Sequence, residues 1–304
     1  MRISIITLAL DLPPYLDEAI ASIAPGGPFD VEHMIVHDGD DASAQAIRQR
    51  YPGIKFVKGR GCGATAAAAL GVETATGEFI LFLHSDDRLC PGALGRLFVE
   101  ASRRPEVMIW TGGLRIFRTL PEGGEISVRW FVDRDLTRLT LENVCDVLPL
   151  LTARFCHRSI FGRIGNFDPQ FSECSDREFL LRAAISELPE ESLGIMVSEV
   201  RQHEGSRTVP LRHTQVPLYL AEHLKIADMW SVRPDVDQRV RGFLRNWRAR
   251  ETLRLLVHQC RAGQWNEAVA RFLAAVRADP SWILRSLTLL RVQHLRRGQS
   301  HPGA

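Results

Sequence analysis

Over the first 110 residues, short apolar runs alternate with stretches of helical spacing. Arg2–Leu8 reads as a strand, and Pro14–Ile23 as a helix with Tyr15, Leu16, Ala19, Ile20 and Ile23 on one face. A second strand, His33–Val36, precedes the polar run His37-Asp38-Gly39-Asp40-Asp41 and a helix over Ala42–Arg50. Ile54–Val57 is a third strand, and Ala64–Thr76 a helix of small residues stopped by Gly77. Glu78–Leu83 is almost wholly apolar, ends in His84-Ser85-Asp86-Asp87, and leads to a helix over Pro91–Ser102. This alternation predicts an α/β sheet. Strands that end in polar loops before helices put those loops on the carboxyl edge, where open α/β sheets bind ligands. Asp38, Asp40, Asp41, Asp86 and Asp87 are therefore expected to converge although far apart in sequence.

The middle of the chain is less regular. Val107–Ile116 and Ile126–Val132 read as strands around the turn Pro121-Glu122-Gly123-Gly124, Ser175–Ile185 as a helix, and Leu193–Val200 as a strand. From Pro217 onward the pattern is helical, with breaks at Ala262-Gly263 and Asp279-Pro280. Glu251–Ala262 and Trp265–Ala278 resemble a helical hairpin, but one copy is too little to define a repeat. The expected organisation is a ligand-binding domain over residues 1–212 and a helical extension over residues 213–304.

Composition changes this picture little: hydrophobic residues make up 45% and charged residues 24%, as in an ordinary globular protein. No apolar run reaches the roughly 20 residues of a membrane span. Met1–Leu10 reads as a buried first strand rather than a signal peptide, because Asp11, Pro13, Pro14, Asp17 and Glu18 interrupt it at once. The six cysteines show no metal or disulfide spacing and point to reduced thiols in a cytoplasmic protein. Charge is more telling. From Arg239 onward there are thirteen arginines, no lysine and three acids, a balance of +10 in a chain whose net charge is +2. A basic tail on an acidic body suggests an anionic partner such as a membrane surface, and equally fits the solvated face of amphipathic helices.

Three features could carry chemistry. Asp86 and Asp87 are adjacent carboxylates at a strand end, which repel unless a counter-charge is supplied; a divalent cation with oxygen ligands supplies it, and an N-cap role is the alternative. Gly61-Cys62-Gly63-Ala64-Thr65-Ala66 fits a dinucleotide fingerprint, and with it a nicotinamide-dependent oxidoreductase. However, two βα units precede it, and the acid about twenty residues on is doubled. Asp176 opens the helix of Ser175–Ile185, where it either stabilises the helix start or deprotonates an acceptor hydroxyl.

As an ordered series, these residues resemble the family 2 glycosyltransferases. Ile3-Ser4-Ile5-Ile6-Thr7 is similar to the family's opening strand, and Val31 through Gly39 to its second strand ending in Asp-Gly. Gly71 through Thr76-Gly77-Glu78, ending in Ser85-Asp86-Asp87, follows the family's central motif. Arg158 through Gly165-Asn166-Phe167-Asp168, Ser175-Asp176 through Arg182, and Arg201 with His203 and Ser206 resemble its later motifs. The resemblance covers about residues 2–208 and implies an α/β fold of the GT-A, Rossmann-like type: a mixed, mostly parallel sheet flanked by helices, here with an all-helical C-terminal extension.

It further implies an inverting transfer from a nucleotide-sugar donor, with a uridine nucleotide expected, to a glycan or lipid-linked acceptor. Asp176 would be the catalytic base and Asp38 would contact the donor's base. Asp87 would bind Mn2+ or Mg2+ directly, with His203 as a further ligand and Asp86 near the ribose; Thr7 and Gly63 would complete the donor site. The chain departs from the pattern at Ala9 and Leu10, where an aromatic residue and Asn are usual, at Ala66 and Ala69, and at His37 and His84. The alanines leave open a donor-binding protein that has lost catalysis. Gln238-Arg239-Val240-Arg241 lacks the tryptophan of the processive members' motif, Gly242 standing in its place, so a single-transfer enzyme is expected. Its arginine-rich tail could dock peripherally on anionic lipid at the inner face of the plasma membrane, or form a homodimer; nucleic acid is not an expected partner.

Overall fold

The computed structural model describes residues 1–10, 14–23, 26–203 and 216–286. The chain divides into two compact units, Met1–Glu204 and Gly205–Ala304. The expected boundary after residue 212, and Ser206 of the closing motif, lie outside the described residues.

The first unit is built on a nine-stranded mixed sheet. Strands β1 (Arg2–Ala9), β2 (Asp30–His37), β3 (Lys55–Lys58) and β4 (Phe79–Phe82) lie in the order β3-β2-β1-β4 and are all parallel. Ile3, Ile5 and Ile6 are fully buried, as is all of β4, which is why these strands read as continuous apolar runs. Helices α1 (Leu16–Ser22), α2 (Asp41–Arg50) and α3 (Ala64–Thr74) connect them. The α2 start is fixed by Asp40, whose carboxylate accepts the Ser43 N–H at 2.7 Å. Close packing of α3 on β1 requires Gly71, where a Cβ would lie 2.7 Å from Ile6 Cγ2.

The other half of the sheet mixes directions. It holds β5 (Arg88–Leu89), β6 (Ile109–Thr119), β7 (Glu125–Phe131), β8 (Arg154–His157) and β9 (Glu190–Arg201), with helices α4 (Ala93–Arg103), α5 (Arg134–Thr137), α6 (Ser159–Ile164) and α7 (Ser175–Ile185). The order continues from β4 as β8-β6-β9-β5, with β7 also on β6. Neither β5 nor β8 was expected from the sequence pattern. β5 is two residues long and exists through its pairing with β9. β8 carries Arg154, fully buried and donating to Thr137 O at 2.8 Å, Pro149 O at 3.3 Å and the Thr111 hydroxyl, with Glu190 at 3.5 Å. Thr111, Thr137 and Glu190 come from other segments, so an arginine within an apolar strand is satisfied only in the folded state.

The second unit is helical, with α8 (Val216–Ser231), α9 (Gln238–Arg261) and α10 (Trp265–Ala278). The hairpin's first helix extends back to Gln238, because Asp237 caps it by accepting the Val240 N–H at 2.7 Å. Leu220 and Leu224 of α8 pack on Leu255 of α9, and Ala249 and Leu256 of α9 pack on Ala268 and Ala275 of α10 with Trp282. Between α8 and α9, Glu251 is fully buried. It takes His223 Nδ1 at 3.0 Å, Arg250 Nε at 2.7 Å and an Arg254 nitrogen at 2.8 Å. Among the described residues no helix is long and apolar enough to cross a membrane.

Candidate active site

Parallel register carries the ends of β1, β2 and β4 to one edge. Ala9 pairs with His37, Asp38 N–H continues the ladder to Ala9 O at 3.0 Å, and Leu83 N–H bonds Ile6 O at 3.0 Å. The turns after β1 and β2 touch so closely that a Cβ at Gly39 would sit 1.5 Å from Leu10 O. Asp38, the loop at residues 59–63 and the turn His84–Asp87 therefore share the carboxyl edge, as the strand pattern predicts.

His84, Asp86 and Asp87 form the acidic centre, their ligand atoms all within 4.8 Å of one another. Asp87 is almost completely buried. Its Oδ1 accepts the Arg201 N–H at 2.9 Å. Its Oδ2 lies 3.2 Å from His84 Nδ1, a charge contact outside hydrogen-bond geometry, so this buried oxygen has lone pairs with no donor. Burial pushes the Asp87 carboxyl above the usual carboxylate range, with His84 pulling the other way and the Asp86 charge adding to the rise. At His84 desolvation opposes a charge, yet Asp87 first, then Asp86 and Asp176, outweigh it and hold the imidazole up at about 9. A buried Asp87 carboxylate with one oxygen outside hydrogen-bond geometry, beside the half-buried Asp86, suits a divalent cation. Once the His84 imidazole gives up its proton to an arriving cation, the two carboxylates and the imidazole are a donor set that Mn2+ accepts.

Two residues at the end of β9 brace this centre. Arg201 Nε donates to Asp86 O at 3.2 Å, and its guanidinium lies 4.2 Å over the Tyr15 ring while reaching Glu18 and Thr119. His203 Nε2 meets Asp86 Oδ2 at 2.9 Å, and its ring packs 5.4 Å from Tyr15. His203, expected as a metal ligand, thus meets the centre through Asp86. His84 is the member the sequence reading missed, since it was taken as a departure beside the motif. Its signal was the spacing of three to Asp87 across a strand-end turn.

Asp176 stands in the first turn of α7, over the bounds expected. Its Oδ1 accepts the Arg177 N–H at 2.6 Å. Arg177 is buried and donates to Val144 O. Arg182, further along α7, bonds Glu178 at 2.9 Å and Asn166 O at 2.7 Å. Phe179 stacks on Phe161 at 4.9 Å and packs on Phe167 at 5.0 Å. These contacts hold the helix start in place. Burial raises the Asp176 carboxyl above its ordinary range, while Arg177 and then His84 oppose the rise. Asp176 and His84 lie near enough for each to act on the other's charge.

On the other flank, Asp38 clamps the glycine loop. Its two oxygens accept the Gly61 and Gly63 N–H groups, each at 2.7 Å. Gly63, at φ +88°, then opens α3. Thr65 of α3 donates to Phe171 O at 2.7 Å, and Asn166 donates to Ala69 O at 3.0 Å, so this helix also carries the segment leading to Asp176. Thr7 is not brought to the surface of this edge: it is fully buried, with its hydroxyl 3.0 Å from His33 Nε2.

A Rossmann-like half-sheet of parallel strands, a mixed half and an acidic centre at its carboxyl edge make up a fold of the GT-A type. Residues 4–148 match the profile of Glycosyl transferase family 2. No curated relative matches the sequence. Among solved structures, S. aureus TarS 1–349 in complex with UDP-GlcNAc is similar over 99% of this chain and 93% of that one, at 17% identity and a TM-score of 0.61. A second crystal structure of S. aureus TarS 1–349 gives 0.57 at 16% identity, over the same shares. The mannosyltransferase PcManGT from Pyrobaculum calidifontis, in complex with GDP-Man and Mn2+, is similar over 98% of this chain and 81% of that one, at 15% identity and 0.55. At these identities the likeness concerns the fold.

Proposed function

We propose that this chain transfers a sugar, with inversion, from a uridine-diphosphate sugar to a hydroxyl of a glycan or lipid-linked acceptor. Asp176 is the general base, and Asp87 the principal ligand of Mn2+ or Mg2+, supported by Asp86 and His84. One observation carries the reading: a buried carboxylate with an unused oxygen, beside a second acid and an imidazole, sits in the field of a separate raised carboxyl at a helix start. Raising Asp176 strengthens it as a base toward a sugar hydroxyl. It takes the hydroxyl proton, the freed oxygen attacks the anomeric carbon, and the bond to the diphosphate breaks with its electron pair leaving on the phosphate. A bound divalent cation supplies neutralisation of that leaving charge. The Asp38 clamp and the Gly63 turn shape the nucleoside side, and His203 orients Asp86.

The test is Asp176→Asn. Transfer and donor hydrolysis are expected to fall at least about a thousandfold, while donor affinity measured by calorimetry changes little. Equal turnover in mutant and wild type would remove Asp176 from the role of base. A wild type that binds UDP-sugar and metal but transfers to no acceptor, and does not hydrolyse the donor, would mark a binding protein instead.

A further inference from the structure

Helix α10 is packed the wrong way round for a buried amphipathic helix. Its two smallest contact residues, Ala268 and Ala275, are the ones buried against α9. Its largest apolar side chains are largely exposed: Trp265 is 62% exposed, Val269 56%, Leu273 47% and Phe272 41%, with Phe272 also meeting the Trp282 ring at 5.9 Å and Val276 packed on the α9 cluster. Positions 265, 269, 272 and 273 follow the spacing i, i+4, i+7, i+8 and so form a single stripe. Arg277 stands four residues after Leu273 on the same flank and is exposed, as is Arg261 just before the helix.

We propose that this stripe is a docking surface for an anionic lipid bilayer, on which α10 lies in the interface plane. An interfacial helix needs bulky apolar residues, including an aromatic, on one face and arginine beside them, and it does not need the length of a membrane span. Both halves are present, and the charge around them favours an anionic surface: the chain from Arg239 onward carries +10 with no lysine. A second copy of the chain fits less well. A helix of fourteen residues is about 21 Å long, narrow for the roughly 800 Å² per partner of a stable interface, and two tails of that charge repel. Nucleic acid would use the arginines and leave the apolar row without a role.

The proposal stands apart from the transfer chemistry, so the experiment reads binding alone. The full chain is co-sedimented with vesicles of phosphatidylcholine, and with vesicles holding an equal part of phosphatidylglycerol. Wild type is expected to bind the anionic vesicles at least about tenfold more tightly and to weaken as salt is raised. Val269→Gln with Leu273→Gln is expected to lower that binding about tenfold or more, and Arg277→Gln to lower it less, with donor turnover and melting temperature unchanged in both. Four results overturn the proposal: no binding to anionic vesicles; equal binding to neutral ones; binding that ignores the double substitution; or a lower melting temperature or a dissociated dimer in that variant, which would show the stripe covered by protein.

Discussion

Two acids, one in each unit, are buried to the same degree and live in opposite surroundings. Glu251 between α8 and α9 has every charge it needs: His223, Arg250 and Arg254 surround it, and although burial works to raise its carboxyl, these partners hold it far below the usual range. Asp87 at the edge of β4 has a backbone N–H on one oxygen and, on the other, only an off-geometry imidazole shared with Asp86; its carboxyl is pushed up. Burial alone therefore does not mark function. On the reading proposed above, a structural acid is closed by its own protein, whereas Asp87 keeps an oxygen for an arriving cation to complete.

The comparison breaks most readily at Asp87. Asp87→Asn is expected to lower turnover by roughly a thousandfold, about 4 kcal/mol of transition-state stabilisation, while leaving the melting temperature unchanged or higher, since an unfavourable buried charge is removed. Steady-state kinetics beside a thermal melt checks both halves. Glu251→Gln should do the reverse. It strands His223 and Arg250 in a dry contact, so chemical denaturation should show a loss of about 3 kcal/mol with the metal dependence of turnover unaltered. If both variants lost stability equally, the distinction between the two acids would fail.

A third acid sharpens the contrast. Glu32 on β2 is tied to Lys55 at 2.8 Å, to the Ser4 hydroxyl at 2.6 Å and to Thr76 N–H at 2.8 Å. Burial opposes the charge, but these partners hold the carboxyl at about 2, against 4.5 unperturbed. A depressed folded-state pKa gives stability that is present above the unfolded value and lost as pH falls through the folded one. Glu32→Gln is therefore expected to cost about 1–2 kcal/mol near neutral pH, and its deficit against wild type should close between pH 4.5 and 2. A deficit constant over that window would mean that the charge on Glu32 contributes nothing. Asp38→Asn should show the smallest effect, since the amide can accept from only one of Gly61 and Gly63: a donor KM raised roughly fivefold, about 1 kcal/mol, with kcat nearly kept.

How much of this was legible follows the same division between local and distant partners. Phe79–Phe82 is apolar at every position, and Ser175–Ile185 begins at an acid and runs into apolar residues, so both elements show in the chain itself. The convergence of the 38 and 84–87 segments followed from strand ends alone. What was hidden depended on residues outside the expected elements: β8 on the partners of buried Arg154, β5 on its pairing with β9, and the full length of α9 on the Asp237 cap upstream of the expected hairpin. In the site, the acid pair was visible and its closing neighbours were not. His84 departs from the family pattern and its role rests on a ring 3.2 Å from Asp87, and nothing local to Asp38 marks it as clamping a glycine loop twenty-three residues on.

The central claim is that Asp87 is left incomplete so that a cation can complete it together with the donor's diphosphate. Calorimetric titration of UDP into wild type and Asp87→Asn, each with and without Mn2+, addresses it directly. Wild type should bind UDP at least about tenfold more tightly with Mn2+, and the Asp87→Asn protein should show no such gain. An equal gain in both proteins, or no gain in wild type, would contradict it.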